Sequence, residues 1–200
     1  MRCLGPVQAG RYCLGCEKIS GDVMTLHAVE VLQATIAWRE GKPWKAFDHL
    51  RRADKHAREE PPISPVQIQL LEAAVVFCEM SNWGPAELVL DPEFTPFMGR
   101  ALRVAKGFAL AFPFGRPLVT VVSALSGTPK GERMMRRTFA RACAQAERLG
   151  MPVELGRIEC WNGLKTRDRA ILGRGMERLR KLDAVAEADH FEKLFDDGER

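Results

Sequence analysis

Length, composition and charge indicate an ordinary globular chain. The 200 residues are 46% hydrophobic and 28% charged, which is enough apolar content for one good core or two small ones and argues against disorder. No window approaches the ~18 uncharged residues of a membrane span, so no membrane partner is expected. No apolar run follows the basic residues at the N-terminus, so no signal peptide is expected either, and the sequence favours a cytoplasmic protein.

The net charge of +4 conceals a strongly basic segment. Residues 96–181 carry 18 Lys and Arg against 6 Asp and Glu, whereas residues 1–95 carry 10 against 13 and residues 182–200 carry 2 against 7. Such asymmetry is typical of a surface that binds a polyanion, with nucleic acid the usual candidate. The alternative is a solvated surface that nearby carboxylates balance. In the first case the acidic C-terminus would compete with the ligand.

Residues 1–22 contain three cysteines among several glycines and predict a loop-rich N-terminus. Cys13 and Cys16 have the two-residue gap with which a tight turn directs two thiolates at one Zn²⁺ ion. Cys3 and His27 would complete a four-ligand set, but no second paired motif lies within the first 60 residues. Zinc is therefore one interpretation of these residues, and a redox dithiol and an incidental N-terminus are the others.

Residues 23–92 predict a helical region that supplies core and a partner surface. Apolar residues recur at helical spacing on both sides of Gly41 and Pro43, which predicts a helical hairpin. A further apolar helix covers residues 63–80. The short run Glu87–Asp91 is either a strand or the end of a helix that begins near Pro85.

Residues 93–183 predict a small α/β unit, followed by an acidic tail over residues 184–200. Pro117–Leu125 and Met151–Cys160 are short apolar or alternating runs bounded by Pro and Gly, which is typical of strands. A helix connects them, and this order implies a parallel pair with a right-handed crossover. The expected fold class is therefore α+β and mostly helical: N-terminal helical hairpins followed by a small α/β unit with a short parallel sheet.

Arginines on the connecting helix form the main predicted site. At helical spacing they fall opposite an apolar face that includes Met135 and Phe139. The loop before the helix would place free backbone N–H groups beside a phosphate, and one last long helix from Leu164 to Leu182 adds further cations. Arginine suits this role because its planar fork makes two parallel hydrogen bonds to phosphate. The predicted nucleic-acid-binding residues are Lys130, Arg133, Arg136, Arg137, Arg141, Lys165, Arg167, Arg169 and Arg174.

Catalytic motifs are weak in this sequence. A nuclease-like carboxylate cluster could be formed by Asp91, Glu154 and Glu159, but the acid-x-Lys spacing that is usual in such sites is missing. The serines near residue 125 do not lie in a nucleophile-elbow motif. We therefore expect a nucleic-acid-binding accessory or regulatory protein that is not an enzyme and needs no cofactor. Two alternatives stay open. One is a protein-binding module or inhibitor whose basic face meets an acidic protein surface, and the other is a metal-dependent nuclease or nucleotide-binding enzyme.

Overall fold

Helices alone form the part of the chain that the structure describes. The computed structural model describes residues 23–57, 68–127 and 131–198, and these ranges contain no strand. No helix in these ranges is long and apolar enough to cross a lipid bilayer. The described helices are α1 Val23–Arg39, α2 Pro43–Ala57, α3 Gln69–Trp83, α4 Ala86–Val89, α5 Phe94–Ala111, a 3₁₀ turn Pro113–Gly115, α6 Arg116–Leu125, α7 Glu132–Arg148, α8 Pro152–Thr166, α9 Arg169–Lys181 and α10 Val185–Asp197.

The prediction of an α/β unit with a parallel sheet is wrong. Pro117–Leu125 lies in α6, and Met151–Cys160 lies almost wholly in α8. In α6 the buried residues Leu118, Val121, Val122 and Leu125 follow the i, i+3, i+4, i+7 spacing of a helix, so a helical period was present and the β-branched composition favoured the wrong choice. Packing then outweighs the low helix propensity of the β-branched residues in α6. The α8 segment did contain helix signals, because Pro152 occupies its first position and Glu154 its first turn.

The predicted long helix after Gly163 is also divided. Arg167 has a positive φ of 54° and ends α8 in the left-handed conformation. The Asp168 carboxylate then accepts hydrogen bonds from the backbone N–H groups of Ala170 and Ile171, at 2.9 and 3.0 Å, and caps the start of α9. The basic residues of this stretch therefore lie on two helices and a turn. The run Glu87–Asp91 is not a strand: its first three residues belong to α4, and Leu90 and Asp91 form the turn that follows.

Contacts divide the chain into two compact units, one of which ends at Gly115 while the other begins at Arg116. We call their described parts the N-terminal unit, residues 23–115, and the C-terminal unit, residues 116–198. The boundaries predicted near residues 22, 92 and 183 rest on composition and charge and not on contacts, so they stay a prediction.

The N-terminal unit has an aromatic core. Its α1 and α2 confirm the predicted hairpin, and Gly41 in the connecting turn has a positive φ of 74°. Phe47 of α2, Phe77 of α3 and Phe94 of α5 meet with ring centroids between 5.5 and 6.2 Å apart. These three buried rings join the hairpin to the helices that follow it.

In the C-terminal unit each helix packs against the next one along the chain, and α8 lies at the centre. Besides α7 and α9, α8 also contacts α6 and α10. Glycines allow α8 and α9 to approach closely: a Cβ on Gly163 would lie 2.5 Å from the backbone nitrogen of Leu172, and one on Gly175 would lie 2.6 Å from the Sγ of Cys160. This stack positions α7 on one side of α8.

Candidate nucleic-acid interface

The helix α7 has one packed face and one wide exposed face. Met135, Phe139, Ala142 and Ala146 are buried against its neighbours α6 and α8. The remaining positions are exposed or half-buried and cover roughly two thirds of the helix circumference at about 100° per residue. The amphipathic helix predicted from the sequence is thereby confirmed.

Four exposed arginines of α7 lie along one side of this face. We call them the α7 arginine ridge: Arg133, Arg137, Arg141 and Arg148. They fall within an arc of roughly 80°, and the first and last are roughly 22 Å apart along the helix axis. None of the four makes an ion pair with a residue that the structure describes. The ridge therefore presents four guanidinium groups to solvent.

Two acidic side chains lie on the exposed face of α7, and one of them is neutralised. Glu132 pairs with Arg136 through an Nη2 to Oε1 distance of 2.6 Å. Glu147 lies near the other end of the helix and is exposed. Arg136 belongs to the predicted site, but it already binds a carboxylate. The ridge arginines bind no carboxylate within the described ranges.

Most arginines of α9 are held by carboxylates of neighbouring helices. Arg180 contacts both Asp189 and Glu192 of α10, at 3.1 and 2.9 Å, and these hydrogen bonds raise the pKa of its guanidinium. Arg178 donates to Glu159 of α8 at 3.0 Å, which raises the pKa of Arg178. The charge of these side chains is therefore already balanced inside the unit.

The predicted surface formed by Lys165, Arg167, Arg169 and Arg174 is divided in the structure. Arg167 donates to the Gly198 carbonyl oxygen at 2.8 Å, and Arg169 lies 3.5 Å from Asp196. Both guanidinium groups also lie over the Phe195 ring, with 6.0 and 5.4 Å to its centroid. Lys165 lies in the last turn of α8. Arg174 is exposed on α9 and makes no ion pair within the described residues.

The acidic C-terminus is a packed helix. Ala188, His190, Phe191, Leu194 and Phe195 of α10 are buried. Glu187 at its start lies 2.8 Å from the Nε of Arg157 in α8, and both side chains are nearly inaccessible. The guanidinium of Arg157 also lies 5.5 Å from the centroid of Trp161. The carboxylates of α10 that pair with α8 and α9 are therefore held in place by the packing of this helix.

A hollow of about 300 Å³ separates α7 from the start of α9. It is lined by Arg136, Ala140, Cys143, Asn162, Thr166, Asp168 and Ile171. Burial, and then the charges of Glu159 and Glu147, raise the pKa of the Cys143 thiol to about 11. A thiol with this pKa is protonated near neutral pH and is a poor nucleophile. The hollow therefore holds no activated cysteine.

Most of the predicted metal ligands lie outside the described residues. Cys3, Cys13 and Cys16 lie outside the described ranges, as does Lys130. The Nδ1 of His27 is 2.9 Å from the Ala53 carbonyl oxygen, and burial lowers the pKa of His27. Among the residues that the structure describes, no group of three or more His, Cys, Asp and Glu could hold a metal ion.

The predicted carboxylate cluster does not lie on strand ends. Glu154 and Glu159 belong to the helix α8, and Glu159 is bound by Arg178. Asp91 belongs to the N-terminal unit, where its Oδ1 accepts a hydrogen bond from the Glu93 backbone N–H at 2.8 Å. None of the three groups therefore lies at the end of a strand, where the nuclease hypothesis placed them.

Arg148 is the one ridge residue that the predicted binding set omitted. Its helical register places it on the same side of α7 as Arg137 and Arg141, and this periodicity was the signal available in the sequence.

Comparison with protein-family models gave no match for this chain, and comparisons with curated proteins and with solved structures gave none either. The candidate interface is therefore defined by its geometry and charge alone.

Proposed function

We propose that the C-terminal unit binds nucleic-acid phosphates through the α7 arginine ridge and that the chain is an accessory protein with no catalytic role. One observation carries this proposal: the four ridge arginines share one side of an exposed helix and have no carboxylate partner within the described residues. Guanidinium groups in this state are ready to make paired hydrogen bonds to phosphate.

Repulsion within the ridge gives a further physical reason for an anionic partner. Arg133, Arg137 and Arg141 follow each other at four-residue spacing, and like charges at this spacing destabilise a helix by about 0.2–0.5 kcal/mol per pair. Phosphates that bind along the ridge remove this repulsion.

Counterion release sets the scale of the expected affinity. Four phosphate contacts on duplex DNA give a slope of about −3.6 in a plot of log K against log salt concentration. This contribution alone corresponds to a Kd of about 1 mM at 0.15 M salt and about 1 μM at 20 mM salt. The ridge is therefore a weak binding surface at physiological salt, as expected for a protein that acts together with other components.

The test is nucleic-acid binding by the full chain at 20 mM salt, measured by fluorescence anisotropy with mixed-sequence DNA. We expect Arg137→Ala with Arg141→Ala to weaken binding about a thousandfold and to reduce the magnitude of the salt slope by about 1.8. The matched control is Arg103→Ala with Lys106→Ala, which removes two exposed cations of α5 that also make no ion pair within the described residues. Equal effects of the two double variants would contradict the proposal.

An acidic protein segment is the second candidate partner. The ridge itself favours it, because guanidinium groups without a carboxylate partner among the described residues bind carboxylates as readily as phosphates. This alternative predicts that the chain fails to bind mixed-sequence DNA at 20 mM salt but binds an Asp- and Glu-rich peptide. In that case the same ridge substitutions would weaken binding to the peptide.

A further inference from the structure

We infer that the nucleic acid is a B-form DNA duplex and that α7 enters its major groove. This inference rests on the proposed function and names the class of nucleic acid that the same ridge binds. It follows from the exposure of α7, from the aromatic side chains of the C-terminal unit and from the groove dimensions of the possible partners.

The shape of α7 suits the major groove. An α-helix with its side chains is about 10–12 Å in diameter, and the major groove of B-form DNA is about 12 Å wide and 8.5 Å deep. Arg133, Arg137 and Arg148 lie near the middle of the exposed face, and the small side chains of Ala140 and Ala144 lie among and beside them, so there is little bulk between the arginines. The packed residues are confined to the opposite side, and α7 can therefore enter a groove without losing its contacts to α6 and α8.

Single-stranded nucleic acid fits this surface less well. Proteins that bind single strands combine a basic groove with exposed aromatic side chains on which the bases stack, each worth about 1–3 kcal/mol. Within the described part of the C-terminal unit, Phe139, Trp161, Phe191 and Phe195 are all at most 3% exposed. Within the described part of the C-terminal unit, a single strand therefore finds the charge of the ridge but no exposed aromatic side chain.

Double-stranded RNA fits less well for a different reason. The major groove of A-form RNA is deep and narrow, and a helix does not enter it. The ridge would touch RNA only from outside, where fewer of its four arginines reach phosphates at the same time. B-form DNA is the partner that allows the whole length of the ridge to make contact.

The test compares three labelled probes of equal length with the full chain at 20 mM salt: duplex DNA, duplex RNA and single-stranded DNA. We expect duplex DNA to bind at least fivefold more tightly than either other probe, with a salt slope near −3.6, against about −2.8 for a single strand that contacts the same four arginines. Arg137→Ala should weaken binding to duplex DNA about thirtyfold at this salt concentration, while Arg103→Ala should change it less than twofold.

A steric variant tests groove entry separately from charge. Ala140→Leu with Ala144→Leu widens the exposed face of α7, keeps good helix formers and leaves every arginine in place. We expect it to weaken binding to duplex DNA at least tenfold and to leave binding to single-stranded DNA unchanged. Far-UV circular dichroism confirms that each variant remains folded.

The outcomes separate the inference from the proposed function. Equal or tighter binding of single-stranded DNA or duplex RNA, still weakened by Arg137→Ala, would overturn the duplex inference and leave the proposed function in place. Unchanged binding of duplex DNA by the leucine variant would overturn groove entry. Failure of all three probes to bind in an arginine-dependent way would overturn the proposed function itself.

Discussion

The helices α7 and α9 are both rich in arginine, but only α7 leaves a row of its arginines free of carboxylates among the described residues. Their neighbours explain the difference. The helix α9 packs against α8 and against the acidic α10. A carboxylate of α8 binds Arg178, and carboxylates of α10 bind Arg180 and, at longer range, Arg169. The helix α7 packs against α6, which contains no Asp or Glu, and against α8, whose Glu159 is bound by Arg178. The charge that a helix makes available therefore depends on what packs beside it.

This comparison also changes the meaning of the basic segment. An excess of Lys and Arg over residues 96–181 suggested one broad binding surface. Ion pairs with α8 and α10 remove part of that surface. Among the described residues of the C-terminal unit they leave the ridge on α7 and Arg174 on α9 without a bound carboxylate, and in the N-terminal unit Arg103 and Lys106 of α5 are also without one. The following predictions test this division, in order of decreasing effect.

The largest expected effect comes from Glu187→Gln, which removes the charge that faces the buried Arg157. Breaking one partner of a buried ion pair typically lowers the free energy of unfolding by 3–5 kcal/mol, and we expect about 3 kcal/mol here. Urea unfolding followed by circular dichroism measures it. The control Asp189→Asn, on the same helix but with the exposed partner Arg180, should cost less than about 1 kcal/mol. Equal losses would mean that Arg157 does not anchor α10.

The next largest effect concerns Cys143, which lies on the side of α7 that faces α9. Its raised pKa of about 11, against an ordinary 9.0, keeps the thiol protonated below that pH and lowers the thiolate fraction at pH 8 about a hundredfold. Alkylation by iodoacetamide, followed by mass spectrometry of the Cys143 peptide, should therefore accelerate about tenfold per pH unit from pH 8 to 10. The same peptide in urea-unfolded protein is the control. A plateau in the native protein near pH 9 would show that Cys143 is not in this environment.

A third prediction tests the close contact of α8 with α9. Gly163→Ala places a Cβ against the Leu172 backbone, and we expect a loss of about 2 kcal/mol in the free energy of unfolding. Gly173→Ala is the matched control on α9, where a Cβ meets nothing within 4 Å, and it should stabilise the protein by up to about 1 kcal/mol. The opposite signs are the diagnostic result in urea unfolding, and two losses would show that Gly173 is not in open space.

The smallest expected effect comes from Arg180→Ala. Its carboxylate partners are exposed, so its removal should lower the free energy of unfolding by less than about 1 kcal/mol. Binding to duplex DNA at 20 mM salt should change less than twofold, because this arginine is already neutralised. If Arg180→Ala weakened DNA binding by about thirtyfold, as expected for Arg137→Ala, the arginines of α7 and α9 would not differ in their availability to DNA.

Some of this structure follows from local sequence patterns. The apolar spacing of Met135 and Phe139 predicted that α7 is a helix and the side on which its arginines lie. Gly41 and Pro43 marked the turn of the first hairpin. The strand predicted at Pro117–Leu125 failed because its β-branched composition is typical of strands, although Leu118, Val121 and Leu125 have helical spacing. The strand predicted at Met151–Cys160 failed because α8 is buried on several sides, so its sequence shows no clear helical period. Asp168 as a helix cap was the local sign that a new helix starts there.

The sequence by itself determined where positive charge is concentrated and that the arginines of α7 share one side, because both depend only on residue order and helical period. Tertiary structure decided which of those charges remain free. Ion pairs such as Arg180 with Glu192 join residues 12 positions apart, and Arg157 with Glu187 joins residues 30 positions apart. Helix packing places these side chains together, and no local pattern in the sequence encodes which carboxylate an arginine will meet.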